Sequence, residues 1–164
     1  MSSSYPSAAG HTTRGTLGPI SAGSLPSAAH VRPYLILVID DSLAVRRVVE
    51  FAFAREGMDA ISFPDGVTAI NALASGDIPV PDLVLLDIGL PGMDGYAVAR
   101  ILHSNAGFQE TPIIMLTGRD GVWDRVRAKL AGARDFVAKP FRCHDLVERV
   151  RGYLPHDAMD GGTL

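Results

Sequence analysis

The sequence predicts one α/β domain in which helices cover both faces of a parallel sheet. Two observations indicate this fold class. Short apolar runs alternate with longer segments of helical periodicity, and three of the runs are apolar at every position. Uninterrupted apolar runs are typical of parallel strands buried on both faces. Strands that alternate with helices along the chain form parallel sheets, so we predict five β-α units in a doubly wound domain.

The five predicted strands are of two kinds. Three are continuously apolar and are followed by polar residues, at 34–39, 83–86 and 113–116. The other two, at 59–63 and 134–138, are more mixed, as strands at a sheet edge commonly are.

A helix is predicted after each strand, at 44–55, 67–74, 95–102, 123–131 and 146–154. In the first helix, Val45, Val48 and Val49 recur at the spacing of one apolar face, whereas Arg46 falls toward the other face. In the third helix, Ile101 is predicted to share the inward face of its apolar neighbours.

The first 33 residues differ in composition from the rest of the chain. They hold seven Ser, four Gly, four Pro and no Asp or Glu, which is too little apolar surface to offset the entropy of ordering. We expect a disordered tail at 1–33, a folded domain at 34–154 and a flexible tail at 155–164. An organellar transit peptide is the alternative for the first segment, although two Arg without an amphipathic period support it weakly.

Composition also narrows the class of protein. A net charge of −3 gives no general attraction to nucleic acid or anionic membranes, and no apolar run reaches the roughly 18 residues of a membrane-spanning helix. The single cysteine, Cys143, allows no disulfide within a chain, which fits a reducing compartment. We expect a cytoplasmic protein that neither reads DNA nor inserts into a membrane.

Residues able to do chemistry follow the predicted strands: Asp40 and Asp41, then Asp87, Thr117 and Lys139. Because ligands of open α/β sheets bind outside the carboxyl ends of the strands, we expect these side chains to converge. An all-oxygen cluster of carboxylates suits Mg²⁺ or Mn²⁺. A carboxylate nucleophile, a metal and a positive charge are the parts of a phosphoryl-transfer site.

These motifs resemble the receiver domains of two-component response regulators. The resemblance covers 34–154 and is carried by Asp40-Asp41, the run DIGLPGMDG from Asp87, Thr117-Gly118 and Lys139-Pro140-Phe141. It implies a flavodoxin-like fold with five parallel strands in the order 2-1-3-4-5. It also implies Asp87 as the phosphoacceptor and Mg²⁺ as the cofactor.

The metal ligands are implied by the same resemblance. Asp41 and Asp87 would bind Mg²⁺ directly, and Asp40 would act largely through water. The carbonyl of Gly89 would complete the set of metal ligands that the protein supplies.

The phosphoryl group and the switch have their own implied residues. Lys139 would pair with the phosphoryl group, or with a bare carboxylate before it arrives, and the Lys139-Pro140 bond would be cis. Thr117 would bind a phosphoryl oxygen and move. Phe136 occupies the position of the family's switch aromatic, with a fixed core aromatic as the alternative.

Two positions depart from the common pattern, Gly89 and Arg119. In the family they flank the path of the attacking water. Gly89 should leave that path open, whereas Arg119 would screen it or bind a phosphoryl oxygen, so the phosphoryl lifetime stays open. Trp123 is predicted to serve either core packing or contact with a partner.

The predicted function is a stand-alone response regulator, phosphorylated by a sensor histidine kinase or a phosphotransfer protein. It would catalyse only its own phosphorylation and dephosphorylation, and a monomer or weak dimer would signal by binding a downstream effector protein. The segment 120–141 resembles regulators in chemosensory pathways for type IV pili and twitching motility. Chemotaxis toward a flagellar motor and a relay intermediate remain alternatives.

Two functions of other classes remain as rivals. A phosphatase of the haloacid dehalogenase type also forms an aspartyl phosphate, but it uses Asp-x-Asp and usually a cap domain. A receiver-like interaction module that is never phosphorylated would not need the full set of acids, threonine and lysine.

Overall fold

The computed structural model of the protein describes residues 32–118 and 122–155, and at residues 122 and 123 it describes the backbone only. The predictions for residues 1–31, for residues 156–164, for Arg119 and for the Trp123 side chain therefore lie outside the described residues.

The described chain alternates strictly between strands and helices. The strands are β1 (Leu35–Ile39), β2 (Asp59–Phe63), β3 (Leu83–Asp87), β4 (Ile113–Thr117) and β5 (Asp135–Ala138). The helices are α1 (Leu43–Arg55), α2 (Gly66–Ser75), α3 (Gly95–Ser104), α4 (Val122–Leu130) and α5 (Cys143–Arg151), with a short 3-10 helix at Ala106–Phe108. None of the described helices is long and apolar enough to cross a membrane.

All five strands are parallel and lie in the order β2-β1-β3-β4-β5. This order confirms the predicted doubly wound, flavodoxin-like sheet, with the two mixed strands β2 and β5 at its edges. The register aligns Ile39 with Leu86, and Asp87 with Leu116. The carboxyl ends of the central strands therefore finish level with one another.

The core forms two layers, one on each face of the sheet. Along β1, Leu37 and Ile39 belong to one layer, while Ile36 and Val38 belong to the other. The first layer packs beneath α2 and α3, and the second beneath α1 and α5. Burial of both faces explains why the central strands are apolar at every position.

The structure corrects two of the predicted helix faces. Val48 in α1 and Ile101 in α3 are 51% and 42% exposed rather than buried. Each lies one residue before a buried neighbour, Val49 or Leu102, and one residue is about 100° around a helix. The buried stripe is therefore narrower than the apolar pattern suggested.

The predicted span of the last helix was also wrong. The helix α5 begins at Cys143 and ends at Arg151, three residues earlier at each end. Leu154 nevertheless is buried in the layer beneath α1. The chain continues past Arg151 in tight turns, in which the amides of Tyr153 and Leu154 donate to the carbonyls of Val150 and Arg151.

Candidate functional site

The carboxyl ends of the central strands bring the predicted site residues together. Asp87 and Thr117 are the last residues of β3 and β4, and Lys139 directly follows β5. These three residues line one open cleft of about 520 Å³, together with Gly89. The other two acids, in the connector between β1 and α1, place carboxylate oxygens beside the Asp87 carboxylate.

Asp87 is held in a tight turn and is only 7% exposed. The amide of Gly89 donates to its Oδ1 at 3.0 Å. The turn then closes through the Gly95 amide, which donates to the carbonyl of Ile88 at 3.1 Å. A Cβ on Gly95 would lie 2.2 Å from the Asp87 carbonyl oxygen, so only glycine lets the start of α3 approach the acceptor this closely.

The two consecutive acids after β1 have different surroundings. Asp40 is fully buried, and its Oδ1 accepts a hydrogen bond from the Ser42 amide at 2.9 Å. Asp41 is exposed. Ser42 also caps α1 by accepting from the Val45 amide, as expected for a residue that begins a helix. Three consecutive residues thus supply two carboxylates to the site, from Asp40 and Asp41, and the cap of α1, from Ser42.

Asp40, Asp41 and Asp87 form an acidic cluster. Each offers a carboxylate oxygen within 4.8 Å of the other two. Carboxylates this close repel one another unless cations intervene. The cluster therefore fits a hard divalent cation that prefers oxygen ligands.

Lys139 already neutralises part of this charge. Its Nζ lies 2.5 Å from Asp40 Oδ2 and 3.2 Å from Asp87 Oδ2. Burial alone would lower the pKa of Lys139, but hydrogen bonding and attraction to the two carboxylates outweigh it, so the pKa is raised above its ordinary value. Lys139 is therefore a permanent ammonium that bridges the acceptor and a buried acid.

The backbone also positions Lys139. Its amide donates to the carbonyl of Thr117 at 2.7 Å, which ties the end of β5 to the end of β4. The Lys139-Pro140 bond is cis, as the resemblance implied.

Thr117 and Phe136, the two predicted switch residues, border the same narrow gap. Thr117 is only 4% exposed. Phe136 is half-buried against the core layer beneath α3, and the guanidinium of Arg125 lies 4.5 Å from its ring centroid. Phe136 is therefore partly core and partly surface, so both earlier interpretations stay open.

A polar group on the other side of the cleft was not predicted from the sequence. Tyr96, at the start of α3, is 3% exposed and donates through its hydroxyl to Asp124 Oδ1 at 3.0 Å. The guanidinium of Arg127 lies 4.4 Å from the same ring. Burial, followed by the hydrogen bond and repulsion from Asp124, raises the pKa of Tyr96 to about 12. The one local feature of the sequence that could have indicated Tyr96 as a site residue was its position directly after the Asp94-Gly95 turn.

Arg46 was also misplaced by the helical pattern. The sequence put it on the outer face of the first helix, but its Nη1 donates to the carbonyls of Asp40 and Asp41 at 2.6 and 3.2 Å. Its side chain therefore reaches back over the start of α1 to the two acids.

Comparison with known proteins places this arrangement in a family. Residues 36–151 match the model of the response regulator receiver domain. The chain is 32% identical over 120 residues to Protein PilG of Pseudomonas aeruginosa, covering 73% of this chain and 87% of PilG. It is 40% identical over 119 residues to the DNA-binding response regulator MtrA of Mycobacterium tuberculosis, covering 73% of this chain. The aligned part spans about half the length of MtrA, 50%.

Solved structures agree with this assignment. The chemotaxis response regulator CheY4 of Vibrio cholerae superposes with a TM-score of 0.67 at 25% identity, covering 74% of this chain and 99% of CheY4. The receiver domain of the Francisella response regulator 1452 gives a TM-score of 0.66 at 25% identity, covering 73% and 95%. The chain therefore belongs to the response regulator receiver domain family, whose members are phosphoacceptor modules of two-component signalling.

Proposed function

We propose that this protein is a response regulator in which Asp87 accepts a phosphoryl group from a phosphohistidine, with Mg²⁺ bound beside it. The donor is a sensor histidine kinase or a phosphotransfer protein, and the phosphorylated form binds an effector protein. The observation that carries the proposal is the contact of Lys139 with both Asp87 and Asp40 inside the acidic cluster. This contact supports the proposal, because a nucleophile, acids able to bind a metal and a fixed positive charge would then act at one point.

The oxygen donors of the cluster support a division of the metal-binding work. Both carboxylate oxygens of Asp40 already accept hydrogen bonds, from Ser42 and from Lys139. The Asp41 carboxylate is exposed and accepts no hydrogen bond from the described residues, so it is the acid most open to direct binding of Mg²⁺. Asp87, whose oxygens also contact the Gly89 amide and Lys139, and the Gly89 carbonyl would complete the ligands that the family resemblance implies, while Asp40 acts through water. When bound, Mg²⁺ neutralises negative charge on the carboxylates and on the phosphoryl oxygens.

The reaction at Asp87 is a displacement at phosphorus. A carboxylate oxygen of Asp87 forms the new P–O bond as the P–N bond of the phosphohistidine breaks, and the imidazole nitrogen leaves with the electron pair. Lys139, whose Nζ lies 3.2 Å from Asp87 Oδ2, is close enough for its ammonium group to form an ion pair with a phosphoryl oxygen on Asp87. Its raised pKa keeps that charge in place throughout. Positioning and charge neutralisation provide most of the acceleration in such transfers.

Return to the resting state requires water. A water molecule attacks the phosphorus of the acyl phosphate, inorganic phosphate leaves, and the Asp87 carboxylate is restored. The protein thus acts only on its own phosphoryl group.

The output follows from the same site. A phosphoryl oxygen draws Thr117 and Lys139, and both lie at the ends of strands that border α4 and α5. We propose that this shift biases a two-state surface made by α4, β5 and α5, with Phe136 as a moving part.

The pathway remains a prediction: similarity to both PilG and a chemotaxis CheY leaves type IV pilus control, chemotaxis and a relay as candidates. The cytoplasmic location and the monomeric or weakly dimeric state are likewise proposals.

Treatment with acetyl phosphate tests the proposal. Intact-mass measurement should show one added phosphoryl group in the presence of Mg²⁺, and none in its absence or in Asp87→Asn. Asp94→Asn is the matched control, because Asp94 lines the same cleft but caps α3, a role that Asn also fills. An adduct that persists in Asp87→Asn would contradict the assignment.

The same experiment, together with an assay of phosphomonoester hydrolysis, separates the rivals. A receiver-like module that is never phosphorylated gives no adduct at all, and an aspartyl-phosphate phosphatase turns over small phosphomonoesters. Neither rival is favoured by an observation in the described part of the chain.

A further inference from the structure

We infer that Arg46 is a positioning residue for the metal site, and that it works by holding the backbone on both sides of Asp41. This inference rests on the proposed function, since it concerns how the acids are presented to Mg²⁺. Arg46 does not touch the reacting atoms. It acts through the peptide groups of the residues that do.

The connector between β1 and α1 is only three residues long, Asp40 to Ser42. One guanidinium nitrogen of Arg46, Nη1, lies 2.6 Å from the Asp40 carbonyl oxygen and 3.2 Å from that of Asp41. These carbonyls belong to the two peptide groups that flank the Cα of Asp41. A single side chain therefore holds both peptide planes from which the Asp41 side chain projects.

The two acids differ in how much they depend on this support. The Asp40 side chain is buried and held by Ser42 and Lys139, and its amide donates to the carbonyl of Phe63 at 3.1 Å. Asp41 is exposed, and among the described residues none donates a hydrogen bond to its carboxylate. The placement of the Asp41 carboxylate therefore depends on its backbone, and Arg46 holds the carbonyl groups of that backbone while the Ser42 amide donates to Asp40.

A simple charge effect would have the opposite sign. A guanidinium near the acids opposes the binding of another cation, so removing the charge alone would tighten Mg²⁺ binding. Removing the two hydrogen bonds frees the peptide planes and should weaken it. The change in Mg²⁺ affinity on loss of Arg46 thus decides between positioning and charge.

Arg47 provides a matched control one residue away. Its side chain is 75% exposed and lies 3.7 Å from Glu50 in an ordinary helix-surface pair. Replacing it changes the net charge by the same amount and, on this geometry, leaves the carbonyls of the connector untouched.

The test is the dissociation constant for Mg²⁺ alone, measured by titration calorimetry on wild type, Arg46→Ala and Arg47→Ala. Groups that orient metal ligands typically change metal affinity by about 10-fold or more when removed, so we expect Arg46→Ala to weaken Mg²⁺ binding about 10-fold. Arg47→Ala should stay close to wild type. Equal or tighter binding by Arg46→Ala would overturn the inference.

Two further measurements keep the result decisive. At saturating Mg²⁺, Arg46→Ala should recover the wild-type rate of phosphorylation by acetyl phosphate, and a rate that stays low would contradict action through the metal ligands. If Arg46→Ala fails to fold by circular dichroism, Arg46→Gln replaces it, because Gln is a good helix former that cannot reach both carbonyls. Failure of wild type to bind Mg²⁺ would refute the proposed function itself, whereas equal affinity in wild type and variant refutes only the role of Arg46.

Discussion

The connector after β1 and the first turns of α4 both border Asp87, but they are held in different ways. In the connector, a fully buried carboxylate is paired with Lys139, and its backbone is tied to Arg46. On α4, the anchors are a tyrosine hydroxyl bound to Asp124 and an arginine stacked on each of two aromatic rings. The first region is held by a buried charge pair. The second is held by the side chains of Asp124, Arg125 and Arg127, none of which is buried, although the Tyr96 side chain, which two of them contact, is buried.

The difference in burial bears on which region can move. Among the described side chains of α4, Ala128 alone is buried, whereas α3 and α5 bury five and three residues. Elements with few buried apolar contacts open at lower free-energy cost. We therefore expect the connector to be the rigid side of the site, suited to chemistry, and α4 to be the more lightly anchored side, suited to reporting it.

The largest expected effect falls on the rigid side. Lys139→Met removes the ammonium that contacts Asp87 and leaves Asp40 buried without its cationic partner. Removing a preorganised charge-stabilising group typically lowers the rate about 100-fold, so we expect that loss in phosphorylation by acetyl phosphate. Intact-mass time courses measure it, and Lys129→Met on the exposed face of α4 is the control. If the phosphorylation rate of Lys139→Met stayed within a few-fold of wild type, the connector region would be no more important for the chemistry than α4.

A smaller effect is expected on the α4 side. Tyr96→Phe keeps the ring under Arg127 but deletes the hydrogen bond to Asp124, which should lower the free energy of unfolding by about 1–2 kcal/mol. Urea denaturation measures this change. The exposed hydroxyl of Tyr153 contacts Asp135, so Tyr153→Phe should lower the free energy of unfolding by a smaller amount. Phosphorylation of Asp87 should continue at nearly the wild-type rate. If phosphorylation slowed as much as in Lys139→Met, the α4 region would also be needed for the chemistry at Asp87.

The same tyrosine predicts a dependence on pH. The folded state raises the pKa of Tyr96 from about 10 to about 12, so it favours the neutral phenol. The stability contributed by this group is therefore complete below pH 10 and is lost as the pH rises toward 12. The free energies of unfolding of wild type and Tyr96→Phe, measured as a function of pH, should converge between pH 10 and pH 12. Parallel curves would show that Tyr96 ionises as an ordinary exposed phenol.

The smallest predicted change concerns the lifetime of the phosphoryl group. A Cβ on Gly89 would meet the Asp87 carboxylate oxygens at 3.7 and 3.9 Å, which is ordinary contact, so a larger residue fits there. Gly89→Asn should slow loss of the phosphoryl group severalfold, because its side chain narrows the path of the attacking water. Release of inorganic phosphate measures this rate, and Gly107→Ala, in the 3-10 helix, is the control. Faster release in Gly89→Asn would contradict an open path at residue 89.

Much of the rigid side could be predicted from the sequence. Asp40, Asp87, Thr117 and Lys139 each follow a recognisable strand, and the carboxyl ends of parallel strands meet at one sheet edge. Local apolar runs were therefore enough to predict that these residues converge. The strand order followed from the resemblance and is confirmed by the sheet.

The sequence by itself determined the alternation of strands and helices and the set of residues at the strand ends, because both depend on local periodicity. Only the tertiary structure decided that Tyr96 binds Asp124, 28 residues away, that Arg46 turns back to the acids, and that Val48 and Ile101 face solvent. The first and last of these features depend on how helices pack against the sheet and against one another, whereas the Arg46 contact depends on how the connector turns between β1 and α1. Periodicity within one helix does not specify the side chains of its neighbours.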